Sequence, residues 1–334
     1  MPNTASIIVG YGCILPCIFL YTQGVIQHIL LYLHAVGITT ILFALTSQTS
    51  SSSRENELYG LKNLLVNLEL PPKTFWFNMG LWDKENLSYS QACENLIRSV
   101  AEKMKIKSYS TILDVGFGCG DSCFFLAEQY KSRVKGITNE KSQLDIAQKR
   151  IPTSLQEHIT LSCGSADDLQ DHIPSTDSFD AIVSIDSAYH FDTRWDFLKN
   201  AFSLLKSKEG KIGLYDLAIE AELLEKATPL QKKLVEWICL SVHIPIQNLV
   251  TVDRYQEQMK TIGYDNIHIQ ALDKRQVFGG VSKSFQQQYE LTLEYGVGIS
   301  FTNRMFLKVS SFFFGLLSEK PWIVPIIVTA EKSQ

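Results

Sequence analysis

A glycine-rich turn between an apolar segment and a helix-forming segment limits the fold of this chain more than any other feature. Residues 112–121 read ILDVGFGCGD, with glycines at positions 116, 118 and 120. Glycine tolerates positive φ angles and lets a ligand approach the backbone closely. A helix that follows such a turn offers unpaired N–H groups in its first turn. The segment therefore predicts a strand, a ligand-binding turn and a helix of a doubly wound α/β sheet.

Beyond residue 110 the sequence alternates between short apolar runs and amphipathic segments, which predicts alternating strands and helices. Strands are predicted over residues 111–115, 133–138, 158–163, 179–185, 211–217, 266–271 and 322–330, and helices over 121–130, 140–150, 194–205 and 282–295. Such alternation is typical of a mostly parallel sheet with helices on both faces. We therefore predict a Rossmann-like α/β fold with a seven-stranded sheet in residues 111–334.

Two segments depart from this alternation. An apolar helical face predicts a helical insertion at about residues 219–262. This face consists of Leu230, Leu234, Trp237 and Ile238. Residues 301–317 are rich in aromatic side chains, but their apolar run 311–317 is too short to span a bilayer. We predict that this run packs in the core, and contact with a membrane interface is the alternative.

The spacing of the glycines bears on the identity of the cofactor. Dinucleotide-binding enzymes use G-x-G-x-x-G, whereas this turn reads Gly116-x-Gly118-x-Gly120. Asp114 lies two residues before the first glycine, where its carboxylate would repel a pyrophosphate but can bind an ammonium group. The turn therefore favours S-adenosylmethionine as the cofactor, and an NAD-type Rossmann oxidoreductase is the alternative.

Several further motifs accompany the turn. They are GLW at 80–82, GITN at 136–139, GSADDL at 164–169 and SFD at 178–180. With these motifs the sequence resembles the class I S-adenosylmethionine-dependent methyltransferases over about residues 75–270. Within that superfamily it looks like the branch of sterol, tocopherol and ubiquinone-biosynthesis methyltransferases. The resemblance implies an enzyme that methylates a small molecule.

The resemblance also implies which residues hold the cofactor. It assigns the methionine part to Asp114, Gly116, Gly118 and Gly120, the ribose to Thr138 and Asn139, and the adenine to Ser165, Ala166 and Asp167. Gln143 and Asp186 complete the predicted cofactor site. The superfamily usually has an acidic residue at the end of the second strand, whereas Thr138 and Asn139 are neutral. Sterol-type members are similar in this respect, as are cyclopropane-fatty-acid-synthase-type members, which resemble GIT at 136–138 with Gln143.

The segment after the fourth predicted strand carries the candidates for catalysis. Loops at the carboxyl ends of strands line the ligand crevice in this topology, and His190 follows such a strand. The ordinary pKa of histidine suits a general base at neutral pH. Several small-molecule methyltransferases place a histidine here, and the resemblance extends that role to His190. Tyr189 is the second catalytic candidate, as a group that orients the acceptor. A His190 that only packs in the fold is the alternative.

A dense aromatic segment, FWFNMGLW at residues 75–82, precedes the predicted sheet. In the branch that the sequence resembles, such a segment helps to cover the acceptor pocket. We therefore predict that Trp76 and Trp82 contact the substrate, where aromatic faces can also stabilise a cation. Ordinary packing of an amphipathic cap is the alternative.

The amino-terminal segment differs sharply from the rest of the chain. Residues 1–53 contain no Asp, Glu, Lys or Arg, and residues 5–46 are largely apolar, which is enough for two helical spans. We predict a membrane anchor and linker in residues 1–53, followed by a mostly helical cap over residues 54–110 that prolines 71 and 72 interrupt. A cleaved signal peptide or a buried hairpin is the alternative, although signal peptides carry a basic n-region that this segment lacks.

Composition excludes several classes of function. The 31 basic and 35 acidic residues give a net charge of −4, which argues against nucleic acid as a partner. The cysteines and histidines show no metal-ligand spacing, so no metal is predicted. The seven cysteines are odd in number and irregularly spaced, which argues against a disulfide framework and favours a reducing compartment. We expect an intracellular membrane such as the endoplasmic reticulum, with the catalytic domain in the cytosol. The predicted function is methylation of a lipid or other hydrophobic small molecule. A non-catalytic, membrane-tethered cofactor-binding protein is a further alternative.

Overall fold

A computed structural model of the chain describes residues 73–333, apart from 175–177, 227, 229–231, 234, 237–238, 241 and 296–298. The chain divides into two compact units, residues 1–57 and 58–334, and the described residues belong to the second. Several predictions lie outside the described residues. They are the membrane anchor of residues 1–53, residues 54–72 of the predicted cap, and the helical face of Leu230, Leu234, Trp237 and Ile238.

Seven strands form one sheet, as the alternation of the sequence predicts. They are β1 (Thr111–Val115), β2 (Arg133–Thr138), β3 (Ile159–Cys163), β4 (Ala181–Ile185), β5 (Gly210–Ile219), β6 (Asp265–Ala271) and β7 (Ile323–Lys332). The strand order is β3-β2-β1-β4-β5-β7-β6. The first five strands in this order pair in parallel, and β7 pairs antiparallel with both of its neighbours. The predicted Rossmann-like fold with a mostly parallel seven-stranded sheet is confirmed.

Helices cover both faces of the sheet. They are α1 (Tyr89–Met104), α2 (Asp121–Tyr130), α3 (Lys141–Arg150), α4 (Leu169–His172), α5 (Arg194–Leu204), α6 (Ala221–Lys226), α7 (Val252–Ile262), α8 (Gly280–Glu294) and α9 (Phe301–Glu319). Two apolar clusters form the main core, one including residues of α1 and α2 and the other residues of α5 and α7. All five residues of β4 are buried, because a central parallel strand has both faces covered.

The predicted helical cap is wrong for residues 73–88, where the chain has no helix. Helix α1 begins only at Tyr89, after a capping box in which Ser88 and Gln91 bond to each other's backbone N–H groups. Upstream of Ser88 the chain runs irregularly and Gly80 has a φ of 68°. Distant carboxylates, rather than a helical ladder, accept backbone N–H groups in this segment. Tertiary contacts therefore outweigh the local helical preference there.

The predicted helical insertion at residues 219–262 is correct only in part. Strand β5 continues through Ile219, because its ten residues pair with β7 along their whole length. Helix α6 follows, and α7 begins at Val252 after the N-cap Thr251. Residues 242–251 between them contain no α-helix. Among the described residues, no helix has both the length and the apolar character needed to cross a bilayer.

Candidate active site

One cavity of about 670 Å³ opens at the carboxyl ends of the parallel strands. Its lining includes residues 115–119 at the end of β1, 137–139 at the end of β2, 164–167 after β3 and 185–187 at the end of β4. This is the edge of a doubly wound sheet at which ligands bind, because the loops after the strands converge there. The cavity therefore lies where the glycine turn predicts it.

The glycine turn follows β1 with a backbone that only glycine adopts easily. Gly116, Gly118 and Gly120 have φ angles of 84°, 59° and 97°. A Cβ on Gly116 would clash with the side chain of Ser187, so the turn leaves no room for one. Gly116 and Gly118 line the cavity. Gly120 is not among the lining residues, and a Cβ there would come within 2.8 Å of Phe124, so it serves the packing of α2.

Asp114 lies behind the turn and is not among the residues that line the cavity. It is 1% exposed, and its Oδ2 accepts hydrogen bonds from Ser122 Oγ at 2.5 Å and Cys123 Sγ at 3.3 Å. Burial raises the pKa of this carboxyl to about 6. Its Oδ1 has no hydrogen-bond partner among the described residues. A buried acceptor beside the glycine turn suits a donor such as an ammonium group.

The predicted ribose site is neutral and internally bonded. Thr138 Oγ1 donates to Gln143 Oε1 at 3.0 Å, and both side chains are buried and line the cavity. Asn139 also lines it. An amide and a hydroxyl offer both donors and acceptors, which suits a ligand with hydroxyl groups. The structure thus brings the three predicted residues together.

The predicted adenine residues lie in the loop after β3. Ser165, Ala166 and Asp167 all line the cavity, and Ala166 is buried. The Asp167 carboxylate accepts hydrogen bonds from Ser165 Oγ and from the backbone N–H groups of Asp192 and Thr193. Asp167 therefore ties this loop to the segment before α5, in addition to forming part of the cavity wall.

Asp186 occupies the point at which β4 ends and the backbone turns. Its φ is 62°, a left-handed conformation that is uncommon for a residue with a side chain. Its Oδ2 accepts the backbone N–H of Met79 at 2.7 Å, and its Oδ1 accepts the hydroxyl of Tyr189 at 2.6 Å. Burial raises the pKa of this carboxyl to about 7. Asp186 lines the cavity, as predicted for a cofactor residue, but both of its oxygens already have protein partners.

The two catalytic candidates lie side by side on the cavity wall. The rings of Tyr189 and His190 are 4.2 Å apart between centroids, and both residues line the cavity. His190 Nδ1 lies 3.1 Å from the backbone oxygen of His243. A carbonyl oxygen only accepts hydrogen bonds, so Nδ1 carries the proton and Nε2 carries the lone pair of the neutral ring.

Burial keeps this histidine neutral. It lowers the pKa of His190 to about 4, so the imidazole is uncharged at neutral pH. Burial, followed by the neighbouring Asp186 carboxylate, raises the pKa of the Tyr189 hydroxyl well above its ordinary value. Tyr189 is therefore a neutral hydrogen-bond donor, and His190 is the group of this pair that can accept a proton.

Asn248, which the sequence analysis missed, fixes the loop that carries His190. Its side-chain amide donates to the backbone oxygens of Tyr189 at 3.2 Å and Phe191 at 2.7 Å, and it is fully buried. Its Oδ1 accepts the backbone N–H of Arg194 at 3.0 Å. No sequence motif identifies this residue, because its partners lie more than fifty positions away.

A segment of five residues, 75–79, lines the cavity, and we call it the strap. The backbone N–H of Phe75 donates to Asp121 Oδ2 at 3.0 Å, and that of Met79 donates to Asp186. Arg150 pairs with Asp121 through two bonds of 2.7 Å, and its guanidinium lies 4.5 Å from the centre of the Phe75 ring. The carboxylates of Asp121 and Asp186 thus hold the two ends of the strap.

The structure separates the two tryptophans that were predicted to contact the substrate. Trp76, in the strap, is buried and lines the cavity. Trp82 is not among the residues that line the cavity. Its indole packs where a Cβ on Gly280 would clash, and its Nε1 donates to the backbone oxygen of Leu87 at 3.2 Å. Gly80 lies between the strap and Trp82, and its positive φ turns the backbone there, so that Trp82 does not continue the course of the strap.

An apolar wall on the α8–α9 side of the cavity is the other feature that the sequence analysis missed. It consists of Val281, Phe285, Phe306, Phe313, Phe314 and Leu317. The rings of Phe285 and Phe314 stack at 5.8 Å with 7° between their planes. The aromatic content of residues 301–317 was the available signal, but it did not indicate a cavity. In the part of the chain that the structure describes, no cluster of side chains could hold a metal ion.

Comparison with known proteins agrees with this geometry. The sequence model of the mycolic acid cyclopropane synthetase family matches residues 46–279, well over half of the chain. The erythromycin 3''-O-methyltransferase of Saccharopolyspora erythraea is 30% identical over 201 residues, which cover 59% of this chain and 64% of that protein. The matched region thus spans less than two thirds of this relative's length.

Solved structures show the same fold at low sequence identity. The cyclopropane synthase MmaA2 from Mycobacterium tuberculosis superposes with a TM-score of 0.64 and 17% identity, covering 81% of this chain and 94% of that one. The mycolic acid cyclopropane synthase CmaA1, complexed with SAH and CTAB, gives a TM-score of 0.63, 18% identity and the same coverage. The resemblance to class I methyltransferases is thereby confirmed, and the chain belongs to the mycolic acid cyclopropane synthetase family of S-adenosylmethionine-dependent methyltransferases.

Proposed function

We propose that this protein transfers the methyl group of S-adenosylmethionine to a lipid or other hydrophobic small molecule. One observation carries the proposal: a single cavity is lined on one side by the glycine turn and on the other by aromatic side chains. The first side offers backbone and polar side-chain atoms for a charged donor. The second side offers mainly apolar surface, which favours an acceptor with a large apolar part.

The residues of the polar side fit the cofactor. Gly116 and Gly118 leave space for the methionine part against the backbone, and the Oδ1 atom of Asp114 offers an unused acceptor behind them. Thr138 and Gln143 would hold the ribose hydroxyls. When bound, S-adenosylmethionine supplies a methyl group on a positively charged sulfur. The protein contributes mainly by placing donor and acceptor in line for the displacement.

A hydroxyl oxygen is the acceptor atom that this site favours. As the new carbon–oxygen bond forms and the carbon–sulfur bond breaks, the hydroxyl must lose its proton. Nε2 of His190 can take that proton, since the His243 carbonyl fixes the other ring nitrogen as a donor. Tyr189, whose hydroxyl donates its only proton to Asp186, can orient the acceptor through its ring or through its hydroxyl oxygen. The Saccharopolyspora relative is an O-methyltransferase, which supports the same acceptor atom.

The location that we propose is an intracellular membrane, with the catalytic domain in the cytosol. The uncharged residues 1–53 support membrane anchoring, because their apolar length suffices for two spans. In this proposal residues 54–110 and 111–334 form the cap and the methyltransferase core. A membrane location would place a lipid acceptor close to the cavity.

The test is methyl transfer by the full-length protein in detergent. We expect labelled S-adenosylmethionine and a membrane lipid extract to yield a labelled lipid whose new methyl group is an ether. Calorimetry on the same preparation should give one cofactor site per chain. A folded protein that binds no S-adenosylmethionine would overturn the proposal. A labelled product with the methyl group on carbon or nitrogen would overturn the choice of oxygen alone.

A further inference from the structure

Helix α9 presents two apolar faces, and only one of them is covered. The inner face packs against α8 and lines the cavity with Phe306, Phe313 and Phe314. The outer face carries Phe301, Met305, Val309 and Phe312, which are 76%, 41%, 57% and 73% exposed. We call these four residues the α9 stripe. An ordinary surface helix is apolar on one side only.

The spacing of the α9 stripe makes it continuous. Its members follow each other at intervals of four, four and three residues, which places them along one side of a helix. With a rise of about 1.5 Å per residue, the stripe extends for roughly 17 Å. Contiguous exposed apolar surface of this kind marks a site of interaction rather than a chance exposure.

The neighbouring helix α8 carries a different exposed face. It packs against α9, and its exposed positions carry Lys283, Gln287, Glu290 and Glu294 together with Leu291 and Leu293. The two leucines, 41% and 53% exposed, lie in the last turn of α8 between acidic residues and form no stripe along the helix. The continuous α9 stripe is therefore a property of α9 and not of the whole α8–α9 pair.

Charge indicates which partner the α9 stripe fits. From Phe301 to Ser318 the helix has no acidic residue, and it carries Arg304 and Lys308. Lys308 is exposed beside the stripe, and its Nζ bonds to Gln286 Oε1 at 2.9 Å. A helix with an exposed apolar face flanked by basic residues is typical of segments that lie in the interface of an anionic bilayer.

We propose that α9 docks on the surface of an anionic lipid bilayer through the α9 stripe. A second copy of the chain fits less well, since a symmetric contact would bring Lys308 and Arg304 towards their own copies. The inference rests on the proposed function for its lipid substrate. Because the opposite face of α9 forms part of the cavity wall, docking would place a bilayer acceptor within one helix diameter of the site, about 10 Å.

Photocrosslinking tests the contact itself. Benzoylphenylalanine replaces Phe312 in the full-length protein, which is illuminated with vesicles of phosphatidylcholine and phosphatidylglycerol. The matched control carries the same replacement at Tyr109, which is 76% exposed and lies before β1 rather than on α9. We expect lipid adducts at position 312 to exceed those at 109 by about tenfold, as for a side chain within the interface. The change Lys308→Gln should lower the yield at 312 about fivefold.

Two results would overturn the proposal. One is a membrane-bound protein whose position 312 yields no more lipid adduct than position 109. The other is crosslinking of position 312 to protein, either to a second copy or to residues 1–72. Neither measurement requires cofactor or turnover, so failure of this contact is distinguishable from failure of methyl transfer.

Discussion

The carboxylate of Asp186 accepts the backbone N–H of Met79 at 2.7 Å, although the two residues lie 107 positions apart. The same carboxylate accepts the Tyr189 hydroxyl, so one side chain holds both the strap and a catalytic candidate. Asp186 thereby couples the covering of the cavity to the arrangement of its catalytic wall. Its left-handed backbone places the carboxylate between these two partners.

The change Asp186→Ala should therefore weaken catalysis more than cofactor binding. Each lost bond to a buried partner costs about 1–3 kcal/mol, so we expect kcat/KM to fall by about tenfold to a hundredfold. The matched control is Asp186→Asn, whose amide oxygen can still accept the Met79 N–H. Steady-state kinetics with both variants check this. Equal losses in the two would contradict the role of the paired bonds.

The raised pKa of Asp186 predicts a dependence of stability on pH. The carboxyl has a pKa of about 7 in the fold and an ordinary value of 3.8, so between these pH values the folded protein holds a proton that the unfolded chain has lost. Raising the pH through this window therefore destabilises the fold. Asp186→Asn mimics the protonated form, and its unfolding free energy should fall less than that of the wild type between pH 5 and pH 8. Urea denaturation at both pH values checks this, and parallel losses would contradict it. Asp114 shifts in the same direction but is present in both proteins.

His190→Ala should lower kcat by about a hundredfold to ten-thousandfold while the affinity for S-adenosylmethionine changes little, as for loss of a general base. Because burial holds the pKa of His190 near 4, the imidazole stays neutral above about pH 5. Titration of this base should therefore cause no change of kcat with pH above that value. The matched control is His243→Asn, which keeps the backbone carbonyl that fixes His190. A comparable loss in the control, or a wild-type rate that rises through pH 6–7, would point to another base.

Asn248 offers a test of positioning rather than of proton transfer. Asn248→Ala removes two hydrogen bonds to the backbone of the His190 loop, and we expect lower kcat with an unchanged pH profile. Loss of these buried bonds should also reduce the unfolding free energy by about 1–3 kcal/mol. Asn248→Asp keeps one acceptor for Arg194 and loses the two donated bonds, which separates the two contributions. An altered pH profile would mean that Asn248 acts on the chemistry more directly.

The fold could be predicted from the sequence because its signals are local. Most strands are short apolar runs, and the glycines at 116, 118 and 120 define the turn that follows β1. The residues after β2 and β3 follow from the same topology, since parallel strands end at one edge. These features can be predicted from the spacing of apolar residues and from the order of strands and helices along the chain.

Contacts between distant segments could not be predicted in this way. Nothing in the sequence near Met79 indicates a bond to Asp186, and nothing near Asn248 indicates the His190 loop. The sequence shows that residues 301–317 are rich in aromatic side chains, but only packing decides that Phe314 faces the cavity and Phe312 faces outward. Such choices depend on which surfaces meet in three dimensions.

Trp76 and Trp82 share one predicted role, but the structure places only Trp76 on the cavity wall. Trp76 lines the cavity, so Trp76→Leu should raise the KM for the acceptor about tenfold, in keeping with about 1–2 kcal/mol of lost contact. Trp82 packs near Gly280, so Trp82→Leu should leave KM unchanged and lower the unfolding free energy by about 1–3 kcal/mol. Kinetics and urea denaturation of both variants check this pair. If only Trp82→Leu raised the KM, the acceptor would contact Trp82 and not Trp76. The strap would then cover only the cofactor.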